Sequence, residues 1–296
     1  RQMCIRDRGY HVSCRLLDSR YFGLPQSRKR VYIVGSLDEE INLEDFEQRE
    51  AVLGDILQQG LPTVDTDFTR KLFANYTTQE VIGKSIKDKR GGENNIHSWD
   101  IDLKGRTSQK ERDLMSALLR ERRKKHWAEV IGIKWMDGMP LTEEQIRTFF
   151  NVPELHQILE HLTQMGYLVY EYPKQQVKGK DGIVKRIPDE TKDKGYNIVA
   201  GKLSFEFSKI LDTNDIAPTL VAMDVAKLGV VDGDGIRRLT IRECQRLCGY
   251  PDNYNLDMIS ESEAFDLLGN TVCVPVIKDI SERIGRSYLE NVEGGR

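Results

Sequence analysis

GIRRLTIRECQRLCGYPDNYNLDMISESEAFDLLGNTVCVP, residues 235–275, decides how the rest of the chain is read. Thr240 can cap a helix, and Glu243 stands three residues on, where a carboxylate can return to the cap's own amide. A helix is therefore expected over Ile241–Cys248, leaving Arg237, Arg242 and Arg246 to pair with acidic groups or phosphates. A second helix is expected over Glu261–Leu268, stopped by Gly269, and the apolar run from Val272 opens a third that reaches Ile284 and Tyr288. Asn270 and Thr271 stand near the beginning of that third helix. There an amide and a hydroxyl can either cap the helix or hydrogen-bond a polar ligand.

Working outward, a second dense block lies near the start, Tyr21-Phe22-Gly23-Leu24-Pro25-Gln26-Ser27-Arg28-Lys29-Arg30-Val31-Tyr32-Ile33. Strands are expected over His11–Leu16 and Val31–Val34, with Leu24-Pro25 interrupting between them. Gln26, Arg28 and Arg30 alternate, and in an extended segment they would point the same way. One amide and two guanidinium groups supply forked donors suited to phosphate or to a base carbonyl. The same pattern also reads as a solvated basic turn before an edge strand.

The middle of the chain carries its most regular helical pattern. Ser108 can cap a helix from Gln109 through Ile131, whose centre holds Arg120, Arg122, Arg123, Lys124 and Lys125, the densest positive run in the sequence. Helices over Glu143–Phe150 and Glu154–Met165 follow, then a strand over Tyr167–Tyr172 with Gly182–Ile187 as its return partner. That order suits a winged helix-turn-helix, with Glu154–Met165 as recognition helix and Lys174–Lys185 as a basic wing. The helix itself is not strongly basic, so a structural helical insert without groove contact stays open. In Ala217–Ala222, Thr219 can either meet a phosphate or satisfy a turn.

Bulk composition excludes little. The chain has 296 residues, 44 basic and 47 acidic, so affinity for a polyanion would come from local clusters and not from net charge. No apolar run is long enough to span a membrane. Five cysteines are too sparse for a disulfide scaffold, Cys244 and Cys248 read as core cysteines, and no metal site is assigned.

Arg237-x-Leu239-Thr240-x-x-Glu243, Gly249-Tyr250-Pro251 and Gly269-Asn270-Thr271-Val272 resemble, in order and spacing, the ninth and tenth motifs of DNA cytosine-5 methyltransferases; the block at 21–33 resembles the eighth. The resemblance implies that Gln26, Arg28 and Arg30 line the pocket of the flipped cytosine, with Arg30 on the base carbonyl. It implies that Asn270, Thr271 and Val272 contact S-adenosyl-L-methionine. Arg237, Leu239, Glu243, Gly249 and Pro251 would be structural. Between the eighth and ninth motifs the family carries its target-recognition region, so Arg120, Arg122, Arg123, Lys124, Lys125, Thr219 and Arg242 are expected to bind double-stranded DNA. The implied setting is a bacterial or phage-type cytoplasm and a restriction-modification system.

In that family a cysteine of a Pro-Cys pair attacks the cytosine, and a glycine-rich turn holds the methyl donor. None of the nine prolines here precedes a cysteine. The expected fold class is therefore α/β: the carboxy-terminal remnant of a Rossmann-like methyltransferase domain with a mixed α+β target-recognition domain bearing the winged-helix-like insert. Residues 1–7 are what AGACAGATGTGTATAAGAGAC encodes, a sequence similar to a sequencing-library transposon adapter. The expected organisation is a non-native scar at 1–8, the end of the catalytic domain at 9–58, the recognition region at 59–234 with its insert at 107–187, the ninth and tenth motifs at 235–293, and a tail at 294–296. On this reading the chain belongs to a methyltransferase but is truncated, inactive alone, and completed by a missing amino-terminal portion in cis or as a separate subunit. The alternatives are a natural DNA-recognition subunit of a split enzyme and a non-catalytic winged-helix DNA-binding protein.

Overall fold

The computed structural model describes residues 7–89, 91–178, 183–199, 205–222 and 224–294. In chain order the elements are β1 (His11–Asp18), β2 (Lys29–Ser36), α1 (Asp67–Asn75), α2 (Thr78–Val81), β3 (Ser85–Ile86), β4 (Asn95–Ile96), α3 (Gln109–Glu121), α4 (His126–Ile131), α5 (Glu143–Arg147) and α6 (Leu155–Gln164). Then come β5 (Leu168–Glu171), β6 (Lys174–Lys178), β7 (Val184–Pro188), β8 (Gly195–Ile198), β9 (Lys209–Ile210), β10 (Leu228–Asp232), β11 (Gly235–Arg238), α7 (Ile241–Leu247), α8 (Glu261–Asn270) and α9 (Val274–Gly294).

Two compact units divide the chain: residues 1–64 with 210–296, and residues 65–209. The expected recognition region, 59–234, is wider than the second unit. Hydrogen bonding within the first unit explains the difference. Gly60 and Leu61 donate backbone amides to the Asp232 carboxylate at 3.0 and 3.1 Å, and Val64 donates to the carbonyl of Ile236 at 2.8 Å. On the other flank, Leu53 and Gly54 donate to the carbonyls of Asp215 and Thr213 at 2.9 and 2.7 Å. Residues 1–6 of the expected scar lie outside the described residues.

In the first unit β1 and β2 pair antiparallel from His11↔Ser36 to Asp18↔Lys29. Both strands extend beyond their expected bounds because the ladder runs the full length of the hairpin. Two apolar clusters hold this unit. One gathers Leu53, Ala217, Leu220, Leu239, Cys244, Leu247 and Cys248 with Phe265 and Leu268 of α8. The other gathers Phe22, Leu24, Ile41 and Leu43 with Cys273, Val276 and Ile280 of α9. The capping box at Thr240 forms: Glu243 donates its amide to the Thr240 hydroxyl at 3.1 Å, and Thr240 donates its amide to the Glu243 carboxylate at 2.8 Å.

The second unit has its own core, built on Trp99, Leu114, Leu118, Leu141, Leu159, Leu162 and Tyr167. The helix expected over 109–131 breaks into α3 and α4. At the break Arg122 turns inward, donating to Asn197 Oδ1 at 2.7 Å, while its carbonyl accepts from the amide of Met139 at 2.9 Å. Gly132, at φ 74°, then closes α4 in the left-handed conformation.

The expected winged arrangement is corrected in its pairing. β5 takes β8 as partner, from Leu168↔Ile198 to Glu171↔Gly195, and residues 184–188 pair with 174–178 instead. Burial makes that choice. All four residues of β8 are buried, whereas all five of β7 are exposed, so only β8 can bring apolar side chains to the core beside β5. Gly195 is also required there, because a Cβ would lie 2.5 Å from the Leu141 backbone. Residues 205–207 form no strand, and the ring centroids of Phe207 and Phe68 lie 6.3 Å apart.

Candidate functional site

The site residues of the first unit meet where the link from β1 to β2 passes the end of α8. The short 3-10 turn Ser19–Tyr21 follows β1, and Asp18 and the Ser19 hydroxyl both accept from the amide of Arg28, at 3.0 and 3.1 Å. Pro25–Ser27 lies against Ala217 with two backbone hydrogen bonds, Ala217 N to Pro25 O at 2.8 Å and Ser27 N to Ala217 O at 3.0 Å. This anchoring keeps Gln26 and Arg28 out of the β2 ladder.

Their side chains consequently point into the unit. Gln26, fully buried, donates to the carbonyl of Leu247 at 2.9 Å and accepts from the amide of Leu220 at 3.2 Å. Arg28, 4% exposed, donates to the carbonyls of Leu220 at 3.1 Å, Gly269 at 3.1 Å and Thr271 at 2.7 Å. Arg30 instead lies at the surface and donates to the carbonyl of Lys29 at 2.8 Å. The single row expected from even spacing is therefore not formed. Gln26 and Arg28 are buried on backbone groups of distant segments, and Arg30 faces solvent.

Asn270 ends α8, and Thr271–Cys273 link it to α9, so the amide and hydroxyl stand after a helix as well as before one. Asn270 is exposed and donates to the carbonyl of Asp266 at 3.0 Å. The Thr271 hydroxyl meets that of Tyr250, and Val272 is 52% exposed. An exposed carboxamide, a hydroxyl and an aliphatic side chain on three successive residues fit a ligand with both polar and apolar parts, such as S-adenosylmethionine. Gly269 cannot be replaced here: a Cβ would stand 2.4 Å from the Ala222 amide nitrogen. Gly249 is held likewise, at φ +79° with the Pro275 ring 2.4 Å from where its Cβ would be.

Arg237 and Glu243 form a two-pronged buried pair at 2.9 and 2.8 Å, and Asp232 accepts a third bond from Arg237 at 2.7 Å. Leu239 is 2% exposed in the core, and Pro251 opens the turn whose carbonyl accepts from Tyr254 at 2.9 Å. Arg242 donates to the carbonyls of Asp252 and Tyr254, and Thr219 donates to the carbonyl of Ser27 at 2.6 Å. Both groups expected on phosphate hold backbone in this structure.

The positive run in the second unit is corrected in part. Arg122 is 4% exposed and bonded to Asn197, out of a phosphate's reach, and burial lowers its pKa to about 10. Arg123 pairs with Asp137 at 2.6 Å and Lys124 with Glu121 at 2.6 Å, while Arg120 and Lys125 are exposed. Several polar side chains in and beside α6 are engaged too. Glu154 meets Lys110, His156 meets Glu143, and His161 meets Glu111.

Three cysteines of the first unit are buried thiols. Burial pushes Cys244 far up and Cys248 up to about 12, and it also raises Cys273. None offers a thiolate near neutral pH. The contribution of Tyr250 was not legible beforehand: the motif containing it was visible, but its partner Thr271 lies 21 residues on.

The match to the model of the family described as C-5 cytosine-specific DNA methylase runs over residues 4–286, and the chain belongs to that family. It is similar to the Type II methyltransferases M.NlaIV of Neisseria lactamica, 55% identical over 93% of this chain, and M.NgoBV of Neisseria gonorrhoeae, 54% identical over 93%. It is also 33% identical over 98% of its length to M.BanI of Aneurinibacillus aneurinilyticus. The chain spans 64% of the length of each of the two Neisseria relatives and 67% of M.BanI.

The extent of the family match corrects the expectation of a carboxy-terminal remnant, since it is not confined to the eighth, ninth and tenth motifs. The readings built on that remnant, a truncated enzyme inactive alone and a missing amino-terminal portion as partner, are corrected with it, while the observation that no proline of these 296 residues precedes a cysteine stands. Among the described residues no helix is long and apolar enough to cross a membrane.

Proposed function

We infer that the protein is a DNA cytosine-5 methyltransferase of a bacterial restriction-modification system, acting in the cytoplasm on double-stranded DNA with S-adenosylmethionine as methyl donor. The observation that carries this reading is the Arg28 clamp. By holding the carbonyls of Gly269 and Thr271 it brings Arg30, two residues along, into the same unit as Asn270, Thr271 and Val272. Arg30 then serves the cytosine carbonyl, which its exposed guanidinium can reach with forked donors. Asn270 and Thr271 hold the polar end of the cofactor, and Val272 covers an apolar part. S-adenosylmethionine supplies the methyl group that becomes attached to cytosine carbon 5. Gln26 and Arg28 support the site through backbone and do not touch the base.

The test is methyl transfer from labelled S-adenosylmethionine to duplex DNA, with the product base identified, together with cofactor binding by the protein. Label in 5-methylcytosine, and cofactor binding weakened by Asn270→Ala with Thr271→Ala, are the expected results. Neither incorporation nor saturable cofactor binding by the folded protein would overturn the reading.

A further inference from the structure

The hairpin of β6 and β7 is the least explained element of the second unit. Its strands pair only with one another among the described residues. Such a two-stranded ribbon is marginal without further packing. Val177, Val184 and Ile187 are nonetheless 40, 56 and 42% exposed. By sequence, residues 174–186 carry five basic side chains, Lys174, Lys178, Lys180, Lys185 and Arg186, and one acidic one, Asp181.

The register separates two faces. Cross-strand pairs Gln175↔Ile187 and Val177↔Lys185 put those four side chains on one side. Lys174 and Arg186, on the other, border a cavity of about 240 Å³ with Lys89 and the buried Arg122. Asp137 and Glu171 border the same cavity, and Glu171 pairs with Lys174 at 2.9 Å, so its basic groups are partly balanced; the ribbon's opposite face combines an amide, an ammonium and two aliphatic groups. B-DNA's major groove admits a two-stranded ribbon, and base edges there offer acceptors and donors beside the thymine methyl group. Helix α6 offers less, because it carries no Lys or Arg and both its histidines are already bonded to carboxylates.

We propose that the β6–β7 ribbon is the sequence-reading element, laid in the major groove of double-stranded DNA. Gln175 and Lys185 address base edges, Val177 and Ile187 contact thymine methyl groups, and Arg186, opposite Gln176 in the middle of the ladder, meets a backbone phosphate. This rests on the DNA methyltransferase reading above and adds to it the residues that set target choice.

The experiment is selection of duplexes from a randomised library by the full chain, followed by binding of the enriched duplex and of an unrelated duplex across salt concentrations. All three substituted side chains are exposed, so folding is checked but not expected to change. Gln175→Ala with Lys185→Ala should weaken the enriched duplex by roughly 10- to 100-fold while moving the unrelated duplex far less. Arg186→Ala should weaken both and reduce the salt slope by about one. Unchanged enrichment and affinity in the Gln175/Lys185 variant would overturn the ribbon's role, as would wild-type binding that enriches no sequence. Failure of the wild-type chain to bind duplex DNA at all would strike instead at the methyltransferase reading on which the proposal stands.

Discussion

The guanidinium of Arg28 donates to the carbonyl of Thr271 across 243 positions of sequence, at 2.7 Å, and the same group holds the carbonyls of Gly269 and Leu220. One side chain thus ties the link between β1 and β2 to the end of α8. Arg28→Ala would leave three carbonyls without that donor, and at about 1 kcal/mol for each net hydrogen bond the loss is roughly 3 kcal/mol. Urea unfolding of the variant should show a clearly lower midpoint; an unchanged midpoint would mean that the clamp is not a fastening.

Arg237 and Glu243 are 3 and 0% exposed. Arg237→Ala strands a buried carboxylate and should cost roughly 3–5 kcal/mol, whereas Arg237→Met combined with Glu243→Leu should recover much of it. A double variant as unstable as the single one would show that the pair's other hydrogen bonds, to Asp232 and Gln58, dominate.

Arg30 is separated from its neighbours by exposure, so its removal should not unfold the protein. Arg30→Ala is expected to reduce methyl transfer at least tenfold, about 1.4 kcal/mol, while non-specific DNA binding changes little. Equal losses in transfer and binding would reassign Arg30 to a phosphate.

His156 donates from Nδ1 to the Glu143 carboxylate at 2.8 Å and lies near Glu160; the Glu143 contact foremost raises the imidazole pKa above its ordinary value. A raised folded pKa means that the contact stabilises below about pH 6.5 and that its contribution is lost as pH climbs through the raised value. An NMR titration should place His156 above a free histidine, and Glu143→Gln should return it towards the ordinary value. A titration unaffected by Glu143→Gln would remove that carboxylate as the cause.

Cysteine reactivity should divide by burial. Cys14 is exposed on β1, whereas Cys244, Cys248 and Cys273 are buried with raised pKa values. At pH 8, mass spectrometry should find alkylation at Cys14 well before the other three, which react once the chain is unfolded. Early modification of Cys248 would contradict its burial.

What the sequence by itself determined was local or carried by motif. Thr240 and Glu243 make a capping box within four residues, Ser108 and Glu111 make another, and each defines a helix start without help from the rest of the chain. The family, too, was legible in the blocks at 21–33 and 235–275, though the extent of its match was not. Only tertiary structure decided where side chains go. Even spacing suggested one row for Gln26, Arg28 and Arg30, yet the backbone bonds to Ala217 turn the first two inward, a contact that no local pattern records. Arg122 looked like its basic neighbours until Asn197, 75 residues away, claimed it. The partner of β5 was likewise settled at a distance: Tyr196 and Ile198 could be buried against the core, and the exposed, basic strand 184–188 could not. Capping depends on hydrogen bonds a few residues long, whereas pairing and burial depend on which distant surfaces can leave water together.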